Sequence, residues 1–180
     1  MLHRLSFLIL FISLTLSSFG QNEIGGIGRW REHYNNQSVI QLGIANSASG
    51  AKSVIGATTQ QVFTITGAKN VALLGKSNGL NDRSIACAAW DATQSQLIIA
   101  YNNSNIDIVK GDQVYAISDL LLSNLYPSKK INHIFLLNQW ALLSTDFGIL
   151  VIDLIKHEIK DTWFPNNNRL VTKTFQIVST

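Results

Sequence analysis

The chain has 180 residues, of which 46% are hydrophobic and 14% charged. That composition is globular and excludes a charge-dominated disordered chain. The net charge is only +3, and the cations are scattered, with Lys129–Lys130 the densest pair. A nucleic-acid surface needs clustered cations that displace several counterions, so no nucleic-acid partner is expected.

The chain opens MLHRLSFLILFISLTLSSFGQN. His3 and Arg4 form a short basic stretch, and Leu5 to Leu16 an apolar run broken only by hydroxyl residues. Ser18 and Gly20 place small residues where signal peptidase needs them. A membrane-spanning helix needs about 20 apolar residues, so the run reads as a cleavable signal peptide over 1–20. The expected mature terminus is Gln21, and losing Arg4 leaves a net charge of about +2. The single cysteine, Cys87, lies far from this point, so no lipid attachment is expected there. No later apolar run is long enough to span a membrane. One cysteine also precludes an intramolecular disulfide.

Residues 21–37 read as a leader, with Trp30 and Tyr34 expected to pack an N-terminal strand onto the domain. Gly25, Gly26 and Gly28 give GGIG, but a dinucleotide loop needs a preceding strand and a third glycine, where Arg31 stands.

From residue 38 short apolar runs alternate with Asn, Ser, Gly and Asp, which is the strand-and-turn signature of an all-β domain. The runs are SVIQLGIA (38–45), SVIGA (53–57), QVFTIT (61–66), SIACAAW (84–90), QLIIAY (96–101), NIDIV (105–109), INHIFLL (131–137), WALLS (140–144), GILVIDL (148–154) and EIKDTW (158–163). They repeat: Ile85 follows Val39, and Ile131 follows Ile85, by the same 46 residues. Four strands in some 40–50 residues is the size of one propeller blade. The first three strands of a unit are apolar, as buried strands should be. The fourth carries charge, as in Glu158-Ile159-Lys160-Asp161, suiting an outer edge that must resist pairing. DLLLSNLYP (119–127) is expected to form a helical turn or slightly more.

The reading is therefore an all-β partial propeller over 38–180. It holds about three four-stranded blades (about 38–83, 84–126 and 131–165), with RLVTKTFQIVST as the start of a fourth. Closed propellers use four to eight blades. An arc of three would leave apolar surface open, at about 25 cal/mol per Å². The expectation is a fragment of a longer protein, or a chain that assembles with another propeller piece.

Within this frame the segments IGRWREHY (27–34), KSNGLND (76–82), LIIAYNNSNIDIVK (97–110) and FGILVIDLIKHEIKDTW (147–163) together resemble the N-terminal propellers of the PorZ family. These are cell-surface components of the type IX secretion system. The resemblance covers nearly all of the mature chain. Asn78-Gly79-Leu80 reads as an interblade turn, with Gly79 supplying a positive φ and Leu80 plugging the junction between blades. Asn102, Asn103 and Ser104 suit a hairpin turn. Gly148 permits close backbone approach at a strand start. Gln61 stands where such blades often have a glycine, before Val62-Phe63. The resemblance implies a role at the outer membrane, in a sortase-containing attachment complex that fixes cargo to anionic lipopolysaccharide. It also implies that a C-terminal domain beyond this chain makes the lipopolysaccharide link.

No enzyme is read from the residues. His33, His133 and His157 fall in different units, without zinc spacing. Cys87 in SIACAAW reads as a buried small hydrophobe. Asp107 and Asp153, inside or beside apolar strands, read as partnered structural carboxylates. WFPNNN has no acidic calcium pattern. No cofactor, metal or catalytic residue is expected. The structural residues are Trp30, Tyr34, Gly79, Leu80 and Gly148. The functional expectation is an exported non-enzymatic scaffold, in the periplasm or at the outer-membrane surface of a Gram-negative bacterium, working through protein contacts. The alternative is the periplasmic ligand-sensing propeller of a hybrid histidine kinase.

Overall fold

A computed structural model describes residues 38–46, 52–67, 70–165, 173–174 and 176–177. All lie in the second of two compact units, Glu32–Thr180. The expected signal peptide (1–20) and the leader (21–37), with Trp30 and Tyr34, lie outside the described residues.

Among the described residues twelve strands, a 3₁₀ turn (Lys76–Asn78) and one short helix follow one another along the chain. The first sheet is β1 (Val39–Asn46), β2 (Lys52–Thr58), β3 (Val62–Thr66) and β4 (Asn70–Leu74). The second is β5 (Ile85–Asp91), β6 (Gln96–Tyr101), β7 (Ile106–Lys110) and β8 (Gln113–Ile117). Helix α1 (Asp119–Leu122) leads to the third: β9 (Ile131–Leu137), β10 (Trp140–Thr145), β11 (Ile149–Asp153) and β12 (Glu158–Trp163). Each sheet is an antiparallel meander in chain order. The first strands run side by side, β1 near β5 and β5 near β9. Three consecutive propeller blades are the result.

The turns follow from local chemistry. Asp91 Oδ1 accepts hydrogen bonds from the amides of Thr93 (2.9 Å) and Gln94 (3.3 Å) after β5. Asp153 Oδ1 does the same for Ile155 (2.9 Å) and Lys156 (3.1 Å) after β11. Four residues after each aspartate the chain turns left-handed, at Ser95 (φ 52°) and His157 (φ 57°).

Two apolar clusters hold the sheets together, and β6 feeds both. Leu97, Ile99 and Tyr101 join Ile55, Ala57, Val62, Leu80 and Val109 between the first and second sheets. Ile98 and Ala100 point the other way, to Ala141, Leu143, Leu150 and Ile152 of the third. Period-two alternation with both faces buried makes β6 an unbroken apolar run.

Two expectations need correcting. The deepest burial lies in the second and third strands, β6–β7 and β10–β11, while β1, β5 and β9 are only partly covered. Middle strands have a neighbour on each edge, and first strands lack one edge partner. Nor is charge a rule of fourth strands. β12 carries Glu158, Lys160 and Asp161, but β4 (NVALL) and β8 (QVYAI) have none, and NVALL is a strand beyond the apolar runs that the sequence marks. The expected start of a fourth blade falls on 169–180. There the described residues 173–174 and 176–177 are not in strand. Thr174 is tied back to the third blade, its Oγ1 donating to the Gly148 carbonyl at 2.7 Å.

The face of the first sheet turned away from the second is mostly apolar, with the pair Asn46 and Lys52 at one end of it. Ladder register places Leu42, Gly56, Phe63 and Leu73 side by side on it, and Ile44, Val54, Ile65 and Val71 beside them. Leu42 and Ile44 are each 58% exposed and Val71 57%.

Candidate functional site

In a meander the turns between second and third strands, and the links from one blade to the next, fall at one end of the sheets. At this end the chain collects its polar residues. The link 75–84 lies across the β6–β7 turn, the Asn102 amide bonding the Ser84 carbonyl (2.9 Å), and the Ile85 amide reaches back to Thr59 (2.9 Å).

Asp107 anchors the link. Its carboxylate, fully buried on β7, accepts the Tyr101 hydroxyl at 2.6 Å and the Asn81 amide at 2.9 Å on Oδ2, and Asn81 Nδ2 at 3.0 Å on Oδ1. Burial, and then the bond to Asp107, push the Tyr101 phenol far above its ordinary value. Tyr101 is therefore a permanent donor. One residue along, Asp82 accepts from the Arg83 amide (2.8 Å) and from Asn103 Nδ2, with Lys76 Nζ 3.6 Å away. Burial alone would raise its carboxyl, but these bonds and the lysine charge outweigh it and hold the group below the ordinary range.

The next link repeats the arrangement with different residues. Asp146, in the β10–β11 turn, accepts from Asn132 Nδ2 (3.0 Å) and Ser128 Oγ (2.7 Å), with Lys173 Nζ at 3.5 Å. The bonds from Asn132 and Ser128 lower its carboxyl first, and Lys173 adds to them. Lys129 Nζ closes the end of α1 on the carbonyls of Leu121 (2.6 Å) and Ser123 (2.8 Å).

Of the residues singled out in the sequence, Gly79 follows the short 3₁₀ turn Lys76–Asn78 at φ 153°, where a Cβ would stand 2.6 Å from Leu74 Cδ1. Leu80 is buried between the first two sheets with Ile55, Val62 and Leu97. Gly148 opens β11 at φ 148°, and a Cβ there would lie 2.6 Å from the Trp163 carbonyl oxygen. Gly79 and Leu80 share the first link, and Gly148 is one blade away from both. In the Asn102–Asn105 turn Ser104 takes φ 73°, and its amide bonds the Tyr101 carbonyl at 2.9 Å.

Gln61 closes the β2–β3 turn without left-handed backbone. Thr58 Oγ1 takes its amide (3.1 Å) and gives a bond to its carbonyl (3.1 Å). Thr145 makes the same pair with Gly148, at 3.1 and 2.8 Å. The shared threonine fixes this turn, and it was a signal available in the sequence that the missing glycine obscured. Asp107, a carboxylate inside an apolar strand, is legible in the sequence as a partnered group, but its partners are not, since Asn81 meets it from 26 residues away.

Cys87 sits on β5, where burial pushes its thiol up to about 12, so it is not a nucleophile at neutral pH. His133 lies on β9. His157 lies in the β11–β12 turn, its ring stacked on Tyr115 at 3.9 Å between centroids. Burial, with the Lys110 charge, lowers its pKa. Among the described residues no three His, Cys, Asp or Glu side chains converge as metal ligands. The loop end thus gathers amides and carboxylates held in place by hydrogen bonds, with Asp107 buried beneath them.

Comparison with known proteins gives a family match and matches among solved structures. The family described as "TSS9, PorZ, N-terminal beta-propeller domain" matches residues 54–179. A solved structure of PorZ, described as an essential bacterial surface component of the type-IX secretion system of Porphyromonas gingivalis, is similar in fold. The TM-score is 0.58 at 21% identity, over 67% of this chain and 16% of that one. The chain thus spans about a sixth of the length of that protein. No curated protein matches the chain.

Proposed function

Because the chain belongs to the PorZ N-terminal β-propeller family of the type IX secretion system, we propose that it is an exported, non-enzymatic scaffold in a cell-surface attachment complex. The family match over 54–179 carries this reading. In it the loop end, with its links pinned by Asp107 and Asp146, is the surface offered to other secretion components, among them a sortase. Fixed loops favour contact over chemistry, because Asp82, Asp107 and Asp146 already have their donors. Cargo anchoring to anionic lipopolysaccharide belongs to the assembled complex, through a C-terminal domain.

The test is affinity capture of the tagged native product from cross-linked, fractionated cells. Recovery in the outer-membrane fraction with secretion attachment components, and loss of cargo anchoring on deletion of the gene, is the expected result. Recovery in the inner membrane, continuous with a histidine kinase, would replace the scaffold by a sensor.

A further inference from the structure

The repeat allows its two blade junctions to be compared position by position. In the second sheet Ile98, Ile108 and Tyr115 stand in one row across β6, β7 and β8. The corresponding row of the first sheet is Ile55, Thr64 and Ala72. Both rows face the following blade. Opposite the second row, the four-residue turn Leu154–His157 brings an imidazole onto Tyr115, stacked at 3.9 Å. Opposite the first row, the two-residue turn Gly111–Asp112 carries no ring. The aromatic pair that fills one junction is thus missing from the other. A cleft of about 310 Å³ stands in its place, lined by Ile55, Val62, Thr64, Ala72, Leu74 and Val109, with Asn78 and Asp112 among its polar neighbours. That volume lies within the range of ligand pockets.

The cleft is continuous with the packed junction of the first two sheets, since Ile55, Val62, Leu74 and Val109 belong to both. It opens beside β4, which among the described residues pairs only with β3. β4 carries no charged residue, whereas charge on an edge is the usual guard against strand addition.

We propose that this cleft is a binding site for an aromatic side chain of a partner polypeptide, which docks in extended form along the free edge of β4. The ring takes the place that Tyr115 and His157 occupy in the next junction, and the partner backbone bonds along β4 short of the Leu73 carbonyl, which already accepts Asn78 Nδ2 at 2.7 Å. This inference rests on the fold and not on the secretion role.

The test uses the full mature chain and a short synthetic peptide of alternating threonine and valine around one central tyrosine. A peptide with alanine for the tyrosine, and free p-cresol, serve as comparisons. The tyrosine peptide is expected to shift the backbone amide signals of Ala72, Leu73 and Gly111. Ala72→Tyr, which copies Tyr115, should weaken its binding at least about tenfold without lowering the melting temperature. Thr64→Ile, which copies Ile108, is the second variant should the first fail to fold. Equal binding of the alanine peptide, unchanged affinity in a folded variant, or shifts confined to another surface would overturn the site. Binding of p-cresol as tight as that of the peptide would overturn the polypeptide partner.

Discussion

At the scale of single residues, the side chains that look chemically ready are held by their surroundings. The Cys87 thiol, pushed up to about 12 by burial, should stay unreactive toward a disulfide reagent at about pH 8 in the folded protein and react freely once unfolded. Fast native reaction would show that β5 opens. Asp107 carries three hydrogen bonds in a fully buried site. Asp107→Ala should cost about 1–3 kcal/mol, because the Tyr101 hydroxyl and Asn81 amide lose their acceptor. Urea unfolding measures it. The glycines divide by what surrounds them. Gly148→Ala must set a Cβ 2.6 Å from a backbone oxygen at φ 148° and should cost about 1–3 kcal/mol. Gly67→Ala, with nothing within 4 Å at φ 51°, should cost less, about 1 kcal/mol.

At the scale of elements, the turns and links carry a pH dependence of definite sign. Asp82, Asp146 and Asp153 all have folded values below the ordinary 3.8. Their ionised forms stabilise the fold above 3.8, and that contribution is lost as pH falls through the lower folded values. His157 is depressed below 6.5, so its neutral form is the one the fold prefers. Stability should therefore also decline as pH falls below 6.5, until the folded value is passed. Melting temperature against pH should show two separate declines. His157→Asn tolerates the left-handed backbone and should erase the upper decline alone. Asp146→Asn should flatten the lower one. A single decline unaffected by either change would contradict these assignments. The β2–β3 and β10–β11 turns show why a missing glycine does not matter: Thr58 and Thr145 supply the same pair of bonds to Gln61 and Gly148.

At the scale of the whole molecule, blades are held by the residues between them. The second sheet is covered on both faces. The outward face of the first sheet presents Leu42, Ile44, Val71 and Leu73, each about half exposed. Contiguous apolar surface of this kind drives association in water. Sedimentation velocity on the isolated chain should show concentration-dependent self-association, reduced by the pair Leu42→Lys and Val71→Lys. An unchanged monomer at all concentrations would mean that the face is shielded in solution.

The sequence by itself determined the all-β class, the 46-residue repeat and the grouping of strands into four-stranded units. These depend on local alternation and on turn residues, which are written along the chain. It also carried the resemblance that the family match extends over 54–179. It did not determine which strands are most deeply buried, because β1 and β6 are comparable apolar runs and only the stacking of sheets on both faces of β6 tells them apart. Nor did it reveal the Asn81–Asp107–Tyr101 network or the unfilled junction beside Ala72. Both are relations between blades, set by register and turn length, and they exist only once the sheets are packed against one another.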